Sequence, residues 1–100
     1  MGALKTQELV ILGDLYHNLN LYDLSLDAYQ EAIARTNKLS LLQYIRIAQI
    51  LIQRSSYQEG FSYLEKIEKQ FGKGRSKDER KLIHLLKAEV LRATLSLIHI

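Results

Sequence analysis

The sequence predicts an all-α protein, an α-solenoid of helix-turn-helix repeats with two repeats plus one extra helix. Three observations lead there. One pattern occurs twice at a constant shift of 35: Leu9-x2-Leu12-Gly13-x2-Tyr16, then Ser25-x3-Tyr29-x2-Ala32, returns as Tyr44-x2-Ile47-Ala48-x2-Leu51, then Gly60-x3-Leu64-x2-Ile67. A fixed period of this size marks stacked supersecondary units. The 100 residues contain no proline and only five glycines, which suits long helices, since proline costs about 3 kcal/mol inside one. Apolar residues also recur at spacings of three and four through five successive segments, the period of a helix with one buried stripe.

The first helix is predicted over about Lys5–Asn18, with Leu9, Leu12, Leu15, Tyr16 and Leu19 as its buried stripe. Asn18-Leu19-Asn20 supplies turn-forming side chains. The second helix, about Tyr22–Thr36, would bury Tyr22, Leu26, Tyr29, Ala32 and Ile33. Asn37 and Ser40 bracket a short connection, and Ser40 suits an N-cap. The third, about Leu41–Arg54, is apolar most of the way round, so it is expected to be covered on both faces. Ser55-Ser56 breaks the run before a fourth helix over about Tyr57–Phe71. Gly72-Lys73-Gly74-Arg75-Ser76-Lys77 is the one clear loop, its glycines ending the preceding helix.

Ser76-x2-Glu79 forms a capping box for a fifth helix starting near Lys77. Its segment His84–Leu91 aligns with Tyr44–Leu51 at a shift of 40, as the first helix of a third repeat. The predicted organisation is therefore one domain: repeat one at about 6–39, repeat two at about 41–74, and the first helix of an incomplete third repeat at about 77–94. The last six residues, Leu95-Ser96-Leu97-Ile98-His99-Ile100, can be written as CTG-TCT-CTT-ATA-CAC-ATC, one frame of the transposon end used as an adapter in DNA sequencing libraries. The natural sequence is accordingly expected to depart after about Thr94, and the chain to be a fragment of a larger repeat protein. With fewer than three repeats, the isolated chain is expected to be marginally stable.

Composition narrows the function classes. Hydrophobic residues make up 47% and charged residues 25%, the balance of a folded soluble protein rather than a disordered one. A net charge of +3 is no more than mildly basic, and nucleic-acid binding is disfavoured. There is no cysteine, hence no disulfide framework and no thiolate metal site. Neither a secretory signal nor a run of about 18 apolar residues is present, so a cytoplasmic location without membrane association is expected.

The same residues resemble a tetratricopeptide repeat (TPR), the helix-turn-helix unit whose signature reads W-x2-L-G-x2-Y, A-x3-F, then P. Leu9 stands at the Trp position, Leu12, Gly13 and Tyr16 follow, and Ser25, Tyr29 and Ala32 take the small, aromatic and second small positions. Ala48 and Gly60 hold the small positions of the second unit, with Tyr57 repeating Tyr22. The resemblance covers about residues 6–93. Asn37 replaces the terminal Pro, Lys87 stands where an apolar residue is expected, and the period of 35 is that of a pentatricopeptide repeat, a reader of single-stranded RNA. The Leu-Gly-x2-Tyr core favours TPR.

That resemblance implies a right-handed solenoid whose first helices line a concave groove for a partner protein or peptide. The groove residues would be Gln7, Val10, Ile11, Asp14, His17 and Asn18, then Leu42, Ile45, Arg46, Gln49, Ile52 and Gln53, then Leu85, Glu89 and Arg92. Val10, Ile45 and Ile52 would supply affinity, and Asp14, Arg46, Gln49 and Glu89 orientation. The basic and Asn residues that clamp a chaperone's C-terminal carboxylate in some members are unmatched, Asp14 and Gln49 standing at one key position. Alternatives are a regulatory or sensor segment of a signalling protein or transcription regulator, and RNA binding of the pentatricopeptide type. A homo-oligomer through the exposed face of the fifth helix is also open.

Catalysis is not expected. His17, His84 and His99 lack ligand spacing, and no cofactor or metal is implied. Asp14 and His17, three residues apart, read as a solvated pair rather than an acid–base pair. The run Lys73–Lys81 mixes five basic with two acidic residues and reads as a solvated loop. Tyr16, Tyr22, Tyr29, Tyr44 and Tyr57 fall on repeat-core positions and so read as packing residues rather than base-stacking ones.

Overall fold

Five helices make up the described chain in a computed structural model: α1 (Thr6–Asn18), α2 (Tyr22–Thr36), α3 (Leu41–Gln53), α4 (Tyr57–Phe71) and α5 (Lys77–Ile98). The structure describes residues 4–36, 39–72 and 76–98, with side chains through Leu95. No strand occurs among them, and the fold is all-α. Asn37, Lys73, Gly74, Arg75 and His99 lie outside the described residues. Each helix falls where its apolar period placed it, and α5 continues beyond Thr94 to Ile98 because Leu95-Ser96-Leu97-Ile98 contains no helix breaker. The chain divides into two compact units, residues 1–43 and 44–100, the division falling within α3.

In the first unit α2 folds back antiparallel on α1. The close approach is made at Gly13, where a Cβ would lie 2.5 Å from Cδ1 and Cε1 of Tyr29. Ser25, fully buried, donates its hydroxyl to the Gly13 carbonyl at 2.7 Å, so a small polar residue both permits and ties the crossing. Leu9, Leu26, Ala28, Tyr29, Ala32 and Ile33 form the core. Two expectations for this unit are corrected. Leu15 and Leu19 are 50% and 58% exposed, because at 3.6 residues per turn they lie roughly a quarter to a third of a turn from the Leu9–Gly13–Tyr16 line that meets α2. Tyr22 is exposed rather than core; it opens α2, and its hydroxyl reaches back to Asn20 Oδ1 at 2.8 Å.

The second unit repeats that construction with different side chains. A Cβ on Gly60 would lie 2.8 Å from Ile52 Cγ1 and 3.4 Å from the Ala48 carbonyl, so α4 crosses α3 at the positions where α2 crosses α1. Tyr44 is fully buried, its ring 6.0 Å from that of Phe71 and 6.5 Å from that of Tyr63. Over its whole length α3 exposes only Leu42 and Gln53, in agreement with its all-round apolar character. Ile83, Leu86 and Val90 bury the inner face of α5, which runs antiparallel to α4. Lys87, unexpected at an apolar position, pairs with Glu68 and holds its ammonium 5.7 Å from the Phe61 ring centroid, so its stem packs while its charge is satisfied twice.

The turns carry the 35-residue shift down to single hydrogen bonds. After α1, Asn20 adopts φ 62° and the Leu21 N–H donates to the Tyr16 carbonyl at 2.8 Å, with Asn20 N–H on His17 at 3.0 Å. After α3, Ser55 adopts φ 64° and the Ser56 N–H donates to the Leu51 carbonyl at 2.8 Å, with Ser55 N–H on Ile52 at 3.0 Å. Both are Schellman closures, which satisfy the last carbonyls of a helix through one left-handed residue. Tyr57 on Ser55 Oγ, 3.4 Å, matches Tyr22 on Asn20. Asparagine tolerates the left-handed region and serine does so less readily, at about 1–2 kcal/mol for an ordinary side chain. Ser55→Gly is therefore expected to raise stability by about 1 kcal/mol and Asn20→Gly by less than half of that, as read from urea unfolding midpoints.

Helix starts follow their sequence signals. Ser40 and Gln43 form a reciprocal capping box, Gln43 N–H on Ser40 Oγ at 3.3 Å and Ser40 N–H on Gln43 Oε1 at 3.0 Å. Ser76 accepts the Glu79 N–H at 3.1 Å, and Asp78 and Glu79 place negative charge in the first turn of α5, where the helix dipole favours it. Gly72 closes α4 at φ 72°.

Candidate functional site

The residues expected to face a partner separate into three groups. Gln7, Ile11 and Asn18 on α1, Leu42 and Gln53 on α3, and Leu85, Glu89 and Arg92 on α5 are exposed. Val10, Asp14, His17, Arg46 and Gln49 are half-buried. Ile45 and Ile52 are 1% and 3% exposed, and Ile52 lies against Gly60. Both are core residues, so the apolar affinity assigned to them is not available at the surface. Their β-branched side chains sit on the faces of α3 that its apolar character commits to packing.

Asp14 also does structural work within its unit. It accepts the hydroxyl of the fully buried Tyr29, and Gln43 Nε2 approaches Asp14 Oδ2 at 3.3 Å. Gln43 thus caps α3 with its carbonyl oxygen and reaches Asp14 with its amide nitrogen. A buried phenol needs such an acceptor, and the three side chains form one network within residues 1–43. His17 packs edge-on against Tyr22, ring centroids 5.5 Å apart.

A concave feature of the second unit lies between α4 and α5. A cleft of about 500 Å³ is walled by Tyr57, Phe61, Val90, Leu91 and Thr94, with Gln58, Ser62 and Glu65 along its rim. It adjoins a broader depression of about 690 Å³ reaching Ser55, Ser56 and Glu59. Its apolar and aromatic walls with a few polar groups at the edge have the make-up of a recognition site. Thr94 is held in place by donating to the Val90 carbonyl at 2.9 Å. Sequence reasoning placed Tyr57 in the core and left Phe61, Ser62 and Thr94 without a role. The available signal was Tyr57-x3-Phe61, two aromatics one helical turn apart on one helix.

Among the described residues no group of three or more His, Asp and Glu side chains is arranged to hold a metal ion, and no helix is long and apolar enough to cross a membrane. Comparison of the chain with models of known families, with characterised proteins and with solved structures returned no match.

Proposed function

We propose that this chain is a TPR-like helical-repeat module, a right-handed solenoid segment whose work is to bind another protein through a helix or peptide. The observation that carries the repeat reading is the recurrence, at one shift of 35, of the small-residue crossings and of both Schellman turns with their tyrosine contacts. Partner binding is supported by the α4–α5 cleft and by the exposure of its apolar wall residue Leu91, 56%. Exposed apolar surface next to a concavity is where a partner helix gains most from burial. Glu89 and Arg92, exposed on the same helix, would orient that partner.

The test is selection of helical peptides from a display library against the chain. Binders with Kd of about 1–100 µM are expected, and Ser62→Trp, which fills the cleft from an exposed position, should weaken them at least about tenfold. Binders indifferent to Ser62→Trp would move the site elsewhere. Affinity for single-stranded RNA falling steeply with salt, with no peptide bound, would replace this reading by the pentatricopeptide one.

A further inference from the structure

Three features of the described residues converge on one occupant for the α4–α5 surface. The first is register. His84, Ala88 and Leu91 of α5 align with Tyr44, Ala48 and Leu51 of α3 and, one repeat earlier, with Leu9, Gly13 and Tyr16 of α1. On α1 and α3 these positions meet an antiparallel helix, with Gly13 against Tyr29 and the Ala48 carbonyl against Gly60. On α5 all three are exposed, Leu91 by 56%, and Leu91 also walls the cleft. The small residue that permits a close helix crossing is present in the form of Ala88, and its face is uncovered.

The second feature is a helix of matching character in the same chain. Ile11 and Leu15 on α1 and Leu19 at its C-cap, at i, i+4 and i+8, are 59%, 50% and 58% exposed. They span about 12 Å and form an apolar stripe separate from the face that packs on α2.

The third feature is charge. Residues 1–43 carry three Lys and Arg against five Asp and Glu, and residues 44–100 carry eleven against six. The stripe on α1 is flanked by Glu8, and the α5 face by Lys81 and Arg92, all three exposed. Glu8 is opposite in sign to Lys81 and Arg92, and both surfaces are apolar at the centre, a combination that favours one partner and register at an interface.

We propose that the exposed face of α5 and the adjoining cleft dock α1 of a second copy of this chain, antiparallel, through Ile11, Leu15 and Leu19. The proposal rests on the reading of this surface as a helix-binding site and names its occupant. The contact joins different surfaces of the two copies. Each copy offers one of the two surfaces to the other.

Sedimentation analysis of the full chain, with circular dichroism confirming that each variant is helical, tests it. The parent's weight-average mass should rise well above the 11.6 kDa of one copy as concentration is raised to about 100 µM. Leu15→Glu and Leu91→Glu should each be monomeric alone. Mixed, they should form a dimer, because each retains the surface the other lacks. A parent that remains monomeric overturns the proposal, as does self-association that survives Leu15→Glu, which would place α5 against α5. A monomeric parent that still binds library peptides loses the self-docking alone; one that binds none loses the helix-binding reading as well.

Discussion

Replacing Tyr29 by alanine is expected to lower the free energy of unfolding by about 3–5 kcal/mol, the range for truncating a buried aromatic. The ring has no exposed area, lies on the Gly13 backbone and ends in a hydroxyl donated to Asp14. Alanine would leave a cavity between α1 and α2 that glycine at position 13 cannot fill, and would remove the donor from a half-buried carboxylate. Tyr29→Phe separates the two effects. It keeps the ring and is expected to cost about 1 kcal/mol, because Gln43 Nε2 still approaches Asp14 at 3.3 Å. Small domains have about 5–15 kcal/mol in total, and a chain of fewer than three repeats is expected near the lower end, so Tyr29→Ala should leave it partly unfolded at room temperature. Urea unfolding followed by circular dichroism, in sucrose to keep every variant measurable, gives the comparison. An alanine variant within about 1 kcal/mol of the parent would show that this ring does not hold α2 onto α1.

The crossings around that ring were legible in the sequence because their cause is local. Gly13, Ser25, Ala48 and Gly60 are the residues whose size decides how closely two backbones can pass, and each appears at the predicted crossing. Helix limits were legible for a similar reason, since Ser40, Ser76 and Gly72 cap or close helices by groups they carry themselves. What a side chain faces is set by more than its own helix. Ile45 and Ile52 share the apolar character of Leu42, yet two are buried and one is 52% exposed, a difference that periodicity on an all-round apolar helix cannot supply. Asp14 read as a groove residue because the TPR resemblance places that position on the concave face. Its acceptor role depends on Tyr29, fifteen residues away, and on Gln43 in a different helix. The α4–α5 cleft was hidden because it is defined by the gap between Phe61 and Thr94 rather than by any residue in it.

Gly13→Ala should reverse the usual sign of its substitution. Inside a helix the change ordinarily gains about 1 kcal/mol, and Gly13 lies in the interior of α1. Here the added methyl would fall 2.5 Å from two ring carbons of a fully buried tyrosine whose hydroxyl is held at its far end. The ring cannot swing away without breaking its bond to Asp14 or displacing α2, and over-packing of this kind costs about 1–3 kcal/mol, occasionally more. A net loss of about 2 kcal/mol is expected. In a Tyr29→Ala background the obstacle is gone and the propensity gain remains, so the same substitution should become stabilising, by up to about 1 kcal/mol. The two backgrounds thus differ by about 3 kcal/mol, a coupling expected only of residues in direct contact. Gly60→Ala is the internal comparison. Its nearest obstacle is Ile52 Cγ1 at 2.8 Å, an aliphatic chain with rotamer freedom, so a smaller loss of about 1 kcal/mol follows. A Gly13→Ala chain more stable than the parent would mean that α2 can slide along α1, and that the ring and not the glycine adapts at the crossing.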